Sequence, residues 1–335
     1  MPEPLSLPEA SASHLPRWRG FNLLEKYSAP RSNGPFLEKD FQMISDLGFN
    51  FARLPMDYRI WIKNQDWKII DETPFREIDQ ALEWGRKYRI HVCLNFHRAP
   101  GYCINPPKEP KNLWTDPQAQ ETCADHWSFF AGRYRGIPNR ELSFDLFNEP
   151  DQVDNAAYAR VVRIMVEAIR QKDPHRLVIA DGTETGNRPV PELISLGVAQ
   201  ATRGYQPMEI SHYRAPWVKG SELYPTPVWP MNLREKRLDR EWFKKEFIDP
   251  WKHLEAQGVG VFVGEWGAYR QTPHPVLLNW MQDHLELWKE AGWGWALWNF
   301  RGDFGFLDSQ RPDVVYEDFY GHKLDRKMLE LLKND

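Results

Sequence analysis

Eight short apolar runs recur along the chain, each followed by a stretch of different periodicity. They are Trp18–Leu24, Phe49–Met56, His91–His97, Leu142–Glu149, Leu177–Asp181, Met208–Tyr213, Val261–Trp266 and Gly294–Phe300. Most are continuous rather than alternating, the pattern of strands buried on both faces in a parallel sheet. Between them, Phe36–Leu47 sets Leu37, Phe41, Ile44 and Leu47 on one helical face. Glu77–Tyr88, Asp116–Tyr134, Asn155–Gln171 and Val276–Ala291 repeat that spacing, and Asp325 is placed to cap a last helix over Arg326–Lys333. Strands alternating with helices predict an α/β fold, a single (β/α)8 TIM barrel. An open doubly wound sheet would want a Gly-rich turn after the first strand, and FNLLEKYSAPR has none. The expected division is an N-terminal extension, 1–17, and one barrel domain, 18–335.

In such a barrel the C-terminal strand ends carry the chemistry. Here those ends offer Arg53, His97, Asn148 with Glu149, His212 with Tyr213, Glu265, and Trp298. A carboxylate closing an apolar run is expensive to desolvate. Two of them, Glu149 in LSFDLFNEP and Glu265 in VFVGEWG, would face each other across the barrel mouth. Two facing carboxyl groups, one kept protonated, are the equipment for splitting a glycosidic bond. Arg53 and Tyr213 are expected to hold Glu265 as the charged nucleophile. Burial and the charge of Glu265 would keep Glu149 protonated as the acid. Asn148 could bond a sugar 2-hydroxyl, His97 and His212 could bond ring hydroxyls or brace the carboxylates, and Trp298 could floor the sugar. The bland reading makes each of these an ordinary ion pair or core residue. It explains them singly but not as a set at successive strand ends.

NEP after one strand and GEWG ending a later one resemble glycoside hydrolase family 5, the cellulase-like family of clan A. The similarity runs from WRGFNLLEKY to the end of the chain. It implies Glu149 as acid/base on the fourth strand and Glu265 as nucleophile on the seventh. Arg53, His97, Asn148, Tyr213 and Trp298 fall where that family has its other active-site residues. One departure stands out. The family usually shows a His, one spacer and a Tyr after the sixth strand, whereas SHY sets His212 and Tyr213 side by side. Adjacent strand residues point to opposite faces, so one of the two would miss the site unless a bulge re-aims it.

Composition narrows the substrate. The chain has 16 Trp, several of them in Pro-rich segments that form neither strand nor helix. Tyr102, Trp114, Trp217 and Trp229 are therefore the tentative sugar-stacking rings. Long segments after the second, third and sixth strands imply a groove for a chain substrate. The expected activity is an endo-β-1,4-glucanase tolerant of mixed-linkage glucan, with a β-linked oligo- or polysaccharide as partner. Its alternatives are an exo-acting β-1,3-glucanase or β-glucosidase-like enzyme, a β-mannanase, or a silent sugar-binding barrel. No cofactor and no metal are expected, because the histidines lack HxH or HExxH spacing. A net charge of −4 argues against nucleic acid, and no run is long enough to span a membrane. Met1–Arg17 lacks a basic start and an apolar core. As it stands the chain reads as cytoplasmic, or as secreted if a leader has been removed. Of the three cysteines, Cys93 reads as a core residue, and Cys103 and Cys123 could pair if oxidised. The pattern sets no oligomeric state.

Overall fold

The computed structural model describes residues 7–335. Eight parallel strands close into a barrel. They are β1 (Arg19–Asn22), β2 (Phe51–Asp57), β3 (His91–Arg98), β4 (Leu142–Asp145), β5 (Val178–Asp181), β6 (Ala199–Gly204), β7 (Val261–Trp266) and β8 (Trp295–Leu297). Each pairs with its sequence neighbours, and β8 closes on β1 through Arg19 opposite Trp295. The helices outside include α1 (Glu38–Asp46), α2 (Phe75–Tyr88), α3 (Pro117–Arg133), α4 (Asn155–Lys172), α5 (Met208–Ser211), α6 (Asp249–Glu255), α7 (His274–Ala291) and α8 (Arg326–Asn334). Helix starts follow side-chain capping. Asp116 accepts from the Gln118 and Ala119 amides, and Asp325 from that of Met328.

The period of two along each strand sorts residues between the barrel interior and the helical layer. Ala52, Leu54, Met56, Val92, Leu94 and Phe96 face the helices, while Phe51 and Cys93 face inward. The interior is layered. Trp18, Phe51, Cys93, Ile179, Ala199, Ala201, Phe262 and Ala296 fill its N-terminal half. His91 lies in this layer, stacked 3.9 Å from Trp18, with its Nε2 2.8 Å from Ser143 Oγ. Leu15 and Ala10 of the N-terminal segment join the same cluster, and the Gly260 amide donates to Ala12 O at 2.7 Å. One step further along the strands, the inward positions become Asn22, Arg53, Asp145, Asp181 and Arg203, all buried. The core therefore passes from apolar to charged toward the C-terminal mouth.

Two elements depart from the sequence expectation. The sixth strand is Ala199–Gly204, not Met208–Tyr213, and Met208–Ser211 forms the short helix α5. AQATRG carries no large apolar residue, so it lacks a strand-like apolar run. Its small residues are what the crowded interior accepts, and Gln200 is satisfied on both sides by the Val190 backbone. The cysteines are all free. Cys123 is buried in α3, and the Cys103 thiol lies 3.5 Å from His97 O, so the Cys103–Cys123 pair is not made.

Among the described residues no helix is long and apolar enough to cross a membrane. No group of three or more potential metal ligands occurs among them either.

Candidate active site

Arg53 is the hub of the charged layer. Its guanidinium is fully buried and donates to Asp145 Oδ2 (2.8 Å), Asn22 Oδ1 (3.0 Å), Asn148 Oδ1 (3.0 Å) and Glu265 Oε1 (2.6 Å). A buried arginine is tolerable only when its donors are used, and these four acceptors come from three different strands or their ends, β1, β4 and β7. Arg53 thereby fixes the positions of Glu265 and Asn148 relative to one another.

Glu265 reaches the interior through a register shift. Phe262 faces inward, and Val261 and Val263 face the helices. Strict alternation would send Gly264 inward and Glu265 outward. The pairing with β6 slips between Val263 and Glu265, which turns Glu265 into the barrel mouth and Trp266 toward Trp280, Trp288 and Trp295. The Glu265 side chain is 4% exposed. Its second oxygen accepts from Tyr205 Oη at 3.1 Å.

Glu149 lies just past β4 with a backbone φ of 51°, a conformation that side chains other than glycine rarely adopt. Both neighbouring peptide groups are held. Its amide donates to Asp181 Oδ2 at 2.8 Å, and its carbonyl accepts from Tyr102 Oη at 2.6 Å. Its carboxylate accepts from Arg203 Nε at 3.2 Å, and the side chain is 17% exposed. Arg203 also comes within 3.6 Å of Glu265 Oε1, so one guanidinium reaches both glutamates.

Two arginines and four carboxyl groups thus share one dry layer. Like charges that close cannot all ionise. Burial, and then the negative charge of Glu265, push the Glu149 carboxyl up to about 8, against the opposing pull of Arg203. Burial, and then Asp181, push Asp145 up to about 7. Of the carboxyl groups in this layer, Glu149 is the one pushed furthest toward its protonated form, and Asp145 follows it, while Glu265 is paired to Arg53.

The polar neighbours have fixed donor roles. Asn148 Oδ1 accepts from both Arg53 and Arg203 (3.1 Å), which sets the amide orientation. Its Nδ2 has no partner among the described residues and is left to donate. His97 is pushed down to about 3, first by burial and then by Arg53, so it is neutral. Its Nε2 accepts from Asn105 Nδ2 at 3.1 Å. The proton then sits on Nδ1, which has no partner among the described residues. Trp298 stacks on the His97 ring at 5.6 Å, and Tyr27 meets both edge-on.

The corrected sixth strand changes two expectations. The hydroxyl on Glu265 comes from Tyr205, directly after β6, where Tyr213 was expected. Tyr213 is buried instead and lies under the Arg214 guanidinium. His212 borders the site rather than entering it. It packs edge-on against Tyr205 at 5.2 Å, bonds Ser211 Oγ through Nδ1, and is pushed down to about 4 by burial.

The four stacking candidates also separate. Trp114 is buried against Tyr102, Phe147 and Tyr158. Trp229 is buried on the outer layer, donating to Asp283. Tyr102 braces the Glu149 backbone. Only Trp217 of the four is open, at 53% exposure, braced edge-on by Tyr269 at 4.8 Å and by His212. Sequence reasoning missed Asn22, Asp145, Asp181, Arg203, Tyr205 and Tyr27. Asp181 closes an apolar run just as the two glutamates do, and that signal could have found it.

A parallel barrel with two glutamates at its C-terminal mouth fits a carbohydrate-cleaving class of enzyme. The family profile described as cellulase (glycosyl hydrolase family 5) matches residues 11–303. The chain belongs to glycoside hydrolase family 5 and is a glycoside hydrolase. It is 28% identical to Endoglucanase C of Acetivibrio thermocellus over 308 residues, covering 84% of this chain and 88% of the relative. A crystal structure described as a glycoside hydrolase superposes with a TM-score of 0.90 at 40% identity, covering 95% of this chain and 99% of the other. Endoglucanase Cel5A from Thermotoga maritima shares the fold, with a TM-score of 0.77 at 22% identity over 94% of this chain and 96% of its own.

Proposed function

We propose that this chain is a retaining endo-β-1,4-glucanase acting on β-linked glucan chains, with Glu265 as nucleophile and Glu149 as acid/base. The observation that carries the reading is the contrast between the two glutamates. Glu265 accepts from a buried arginine and a tyrosine hydroxyl, which suits a carboxylate that attacks. Glu149 is held protonated by burial and by Glu265, which suits a proton donor. In the first step the Glu149 proton moves to the glycosidic oxygen as the anomeric C–O bond breaks and a bond to Glu265 forms. In the second, water attacks the anomeric carbon, gives its proton to Glu149 and releases the sugar from Glu265. Both glutamates lie within reach of the Arg203 guanidinium, which favours the closer carboxyl spacing of retaining enzymes, about 5–5.5 Å.

Around them, Asn148 Nδ2 and His97 Nδ1, which have no partner among the described residues, suit sugar hydroxyls, and Trp298 suits an apolar floor. An aromatic wall of Tyr205, His212 and Trp217 leads outward from the nucleophile and suits a further sugar ring at Trp217. The similarity to a protein named Endoglucanase C supports endo action on a glucan over exo action.

The test is a product time course on carboxymethylcellulose, mixed-linkage glucan, laminarin and mannan, with Glu265→Ala as control. Rapid viscosity loss on the first two, absent in the variant, is expected. Glucose released from laminarin with little viscosity change would replace the endo-β-1,4 reading by an exo-acting β-1,3 one. Full activity in the variant would remove the mechanism.

A further inference from the structure

The end of β6 places a second arginine against the proton-carrying glutamate. Arg203 is 2% exposed. Its two Nη atoms clasp Asp181, with Nη1 to Oδ1 at 3.0 Å and Nη2 to Oδ2 closer still. Nη1 also donates to Thr202 O, and Nη2 to Asn148 Oδ1. The remaining N–H, on Nε, faces Glu149 Oε1.

The fold makes room for this side chain. A Cβ at Gly186 would lie 2.6 Å from Arg203 Cγ, and one at Gly264, within the β7 register shift, 2.7 Å from Nη1. Asp181 does more than neutralise Arg203. Its Oδ2 also accepts the Glu149 amide, so one carboxylate ties the backbone of Glu149 to the guanidinium that meets its side chain.

We propose that Arg203, clasped by Asp181, is a positioning residue that orients the Glu149 carboxyl and keeps its proton exchangeable in both halves of the reaction. This rests on the acid/base role proposed for Glu149. That role requires the same carboxyl to release a proton in the first step and take one from water in the second. The charged and titratable groups facing it are Arg53 from β2, Tyr102 from the segment after β3, Asp145 from β4, Asp181 from β5, Arg203 and Tyr205 from β6 and its end, and Glu265 from β7. Glu265 and Asp181 favour the protonated form, and Arg203 and Arg53 favour the anion. Arg203 is the only one of the two arginines bonded to the Glu149 carboxyl. Without it the released proton would leave an anion beside Asp181 with no hydrogen-bonding cation. The acid would then be too weak to give up its proton readily.

The opposed charges of the clasp make the proposal testable by sign. The basic limb of kcat/KM against pH reports the acid of the free enzyme. Cellotetraose is the substrate, and melting curves establish that each variant is folded. Arg203→Gln should raise the limb by about one pH unit or more, and Arg203→Lys should raise it less, because a cation is kept. Asp181→Asn should lower the limb, because it removes a negative neighbour while its Oδ1 can still accept the Glu149 amide. A merely structural clasp would lower the rate without moving the limb in opposite directions. Limbs unmoved in Arg203→Lys and Asp181→Asn, or moved in the same direction, overturn the proposal even if Arg203→Gln does not fold. Glu149→Ala separates the two readings. If it slows good and poor leaving groups equally, the acid/base role itself falls. If it spares the good leaving groups while the limbs stay fixed, only the role of Arg203 falls.

Discussion

At the scale of residues, the site is an arrangement of donors around two buried glutamates, of which Glu149 is pushed toward its protonated form. Glu149→Ala should slow hydrolysis of cello-oligosaccharides by about 10²–10⁴-fold, the usual worth of a general acid. It should slow an activated aryl cellobioside far less, because that leaving group needs little protonation. Initial rates on the two substrates check this, and equal losses would contradict the assignment. Trp217→Ala should raise KM on long glucans by up to about tenfold, equivalent to roughly 1.4 kcal/mol. Turnover of an aryl glycoside that does not reach that ring should be unaltered, and an unchanged KM on the polymer would remove Trp217 from the groove. Arg53, His97, Asn148, Glu149, Glu265 and Trp298 were legible in the sequence because each lies within or at the end of an apolar run. Arg203 and Tyr205 were not, because their strand is made of small and polar residues and carries no such run.

At the scale of elements, backbone proximity and local slips in register decide what a strand presents. Gly20 on β1 shows how close two strands can come. A Cβ there would lie 1.8 Å from Phe51 O on β2. Gly20→Ala should therefore separate β1 from β2 and lower stability by more than about 3 kcal/mol, beyond the range of most substitutions. Urea unfolding would measure it, and a change below about 1 kcal/mol would show that the strands can shift to accept the methyl group. The slip at Gly264 is subtler. Periodicity alone sends Glu265 toward the helices, and only pairing with β6 reveals that it turns inward. In the same way α5 reads as a strand locally. It became a helix because β6 already fills the sixth place in the barrel.

At the scale of the whole molecule, the buried ionisable groups tie stability to pH. Burial pushes His91, His97 and His284 down to about 3 and His126 and His212 down to about 4. Each is neutral in the folded state and takes up a proton on unfolding below about 6.5. Their contribution to stability is full above that value and is lost as pH falls toward 4 and then 3. Glu149, Asp145 and Glu25 act in the opposite sense, since burial raises them to about 8, 7 and 7. The folded state keeps those protons where the unfolded chain has released them, so stability declines as pH rises from about 4 through 7–8. Five histidines outweigh three carboxyl groups on the acid side. Tm should therefore be highest near pH 6.5–7 and should fall on acidification to pH 4. Calorimetry at fixed ionic strength checks this, and a Tm that is flat over that interval would contradict it.

The sequence by itself determined the alternation of strand and helix, the barrel, and the two glutamates at strand ends, because hydrophobic periodicity and the cost of burying a carboxylate are local properties. The tertiary structure decided which residues meet. It placed Tyr205 rather than Tyr213 on Glu265, set Arg203 and Asp181 beneath Glu149, and left Trp217 open while burying Trp114 and Trp229. These outcomes depend on strand register, on the slip at Gly264 and on closure of the ring, and each joins residues far apart in the chain through contacts that no local pattern records.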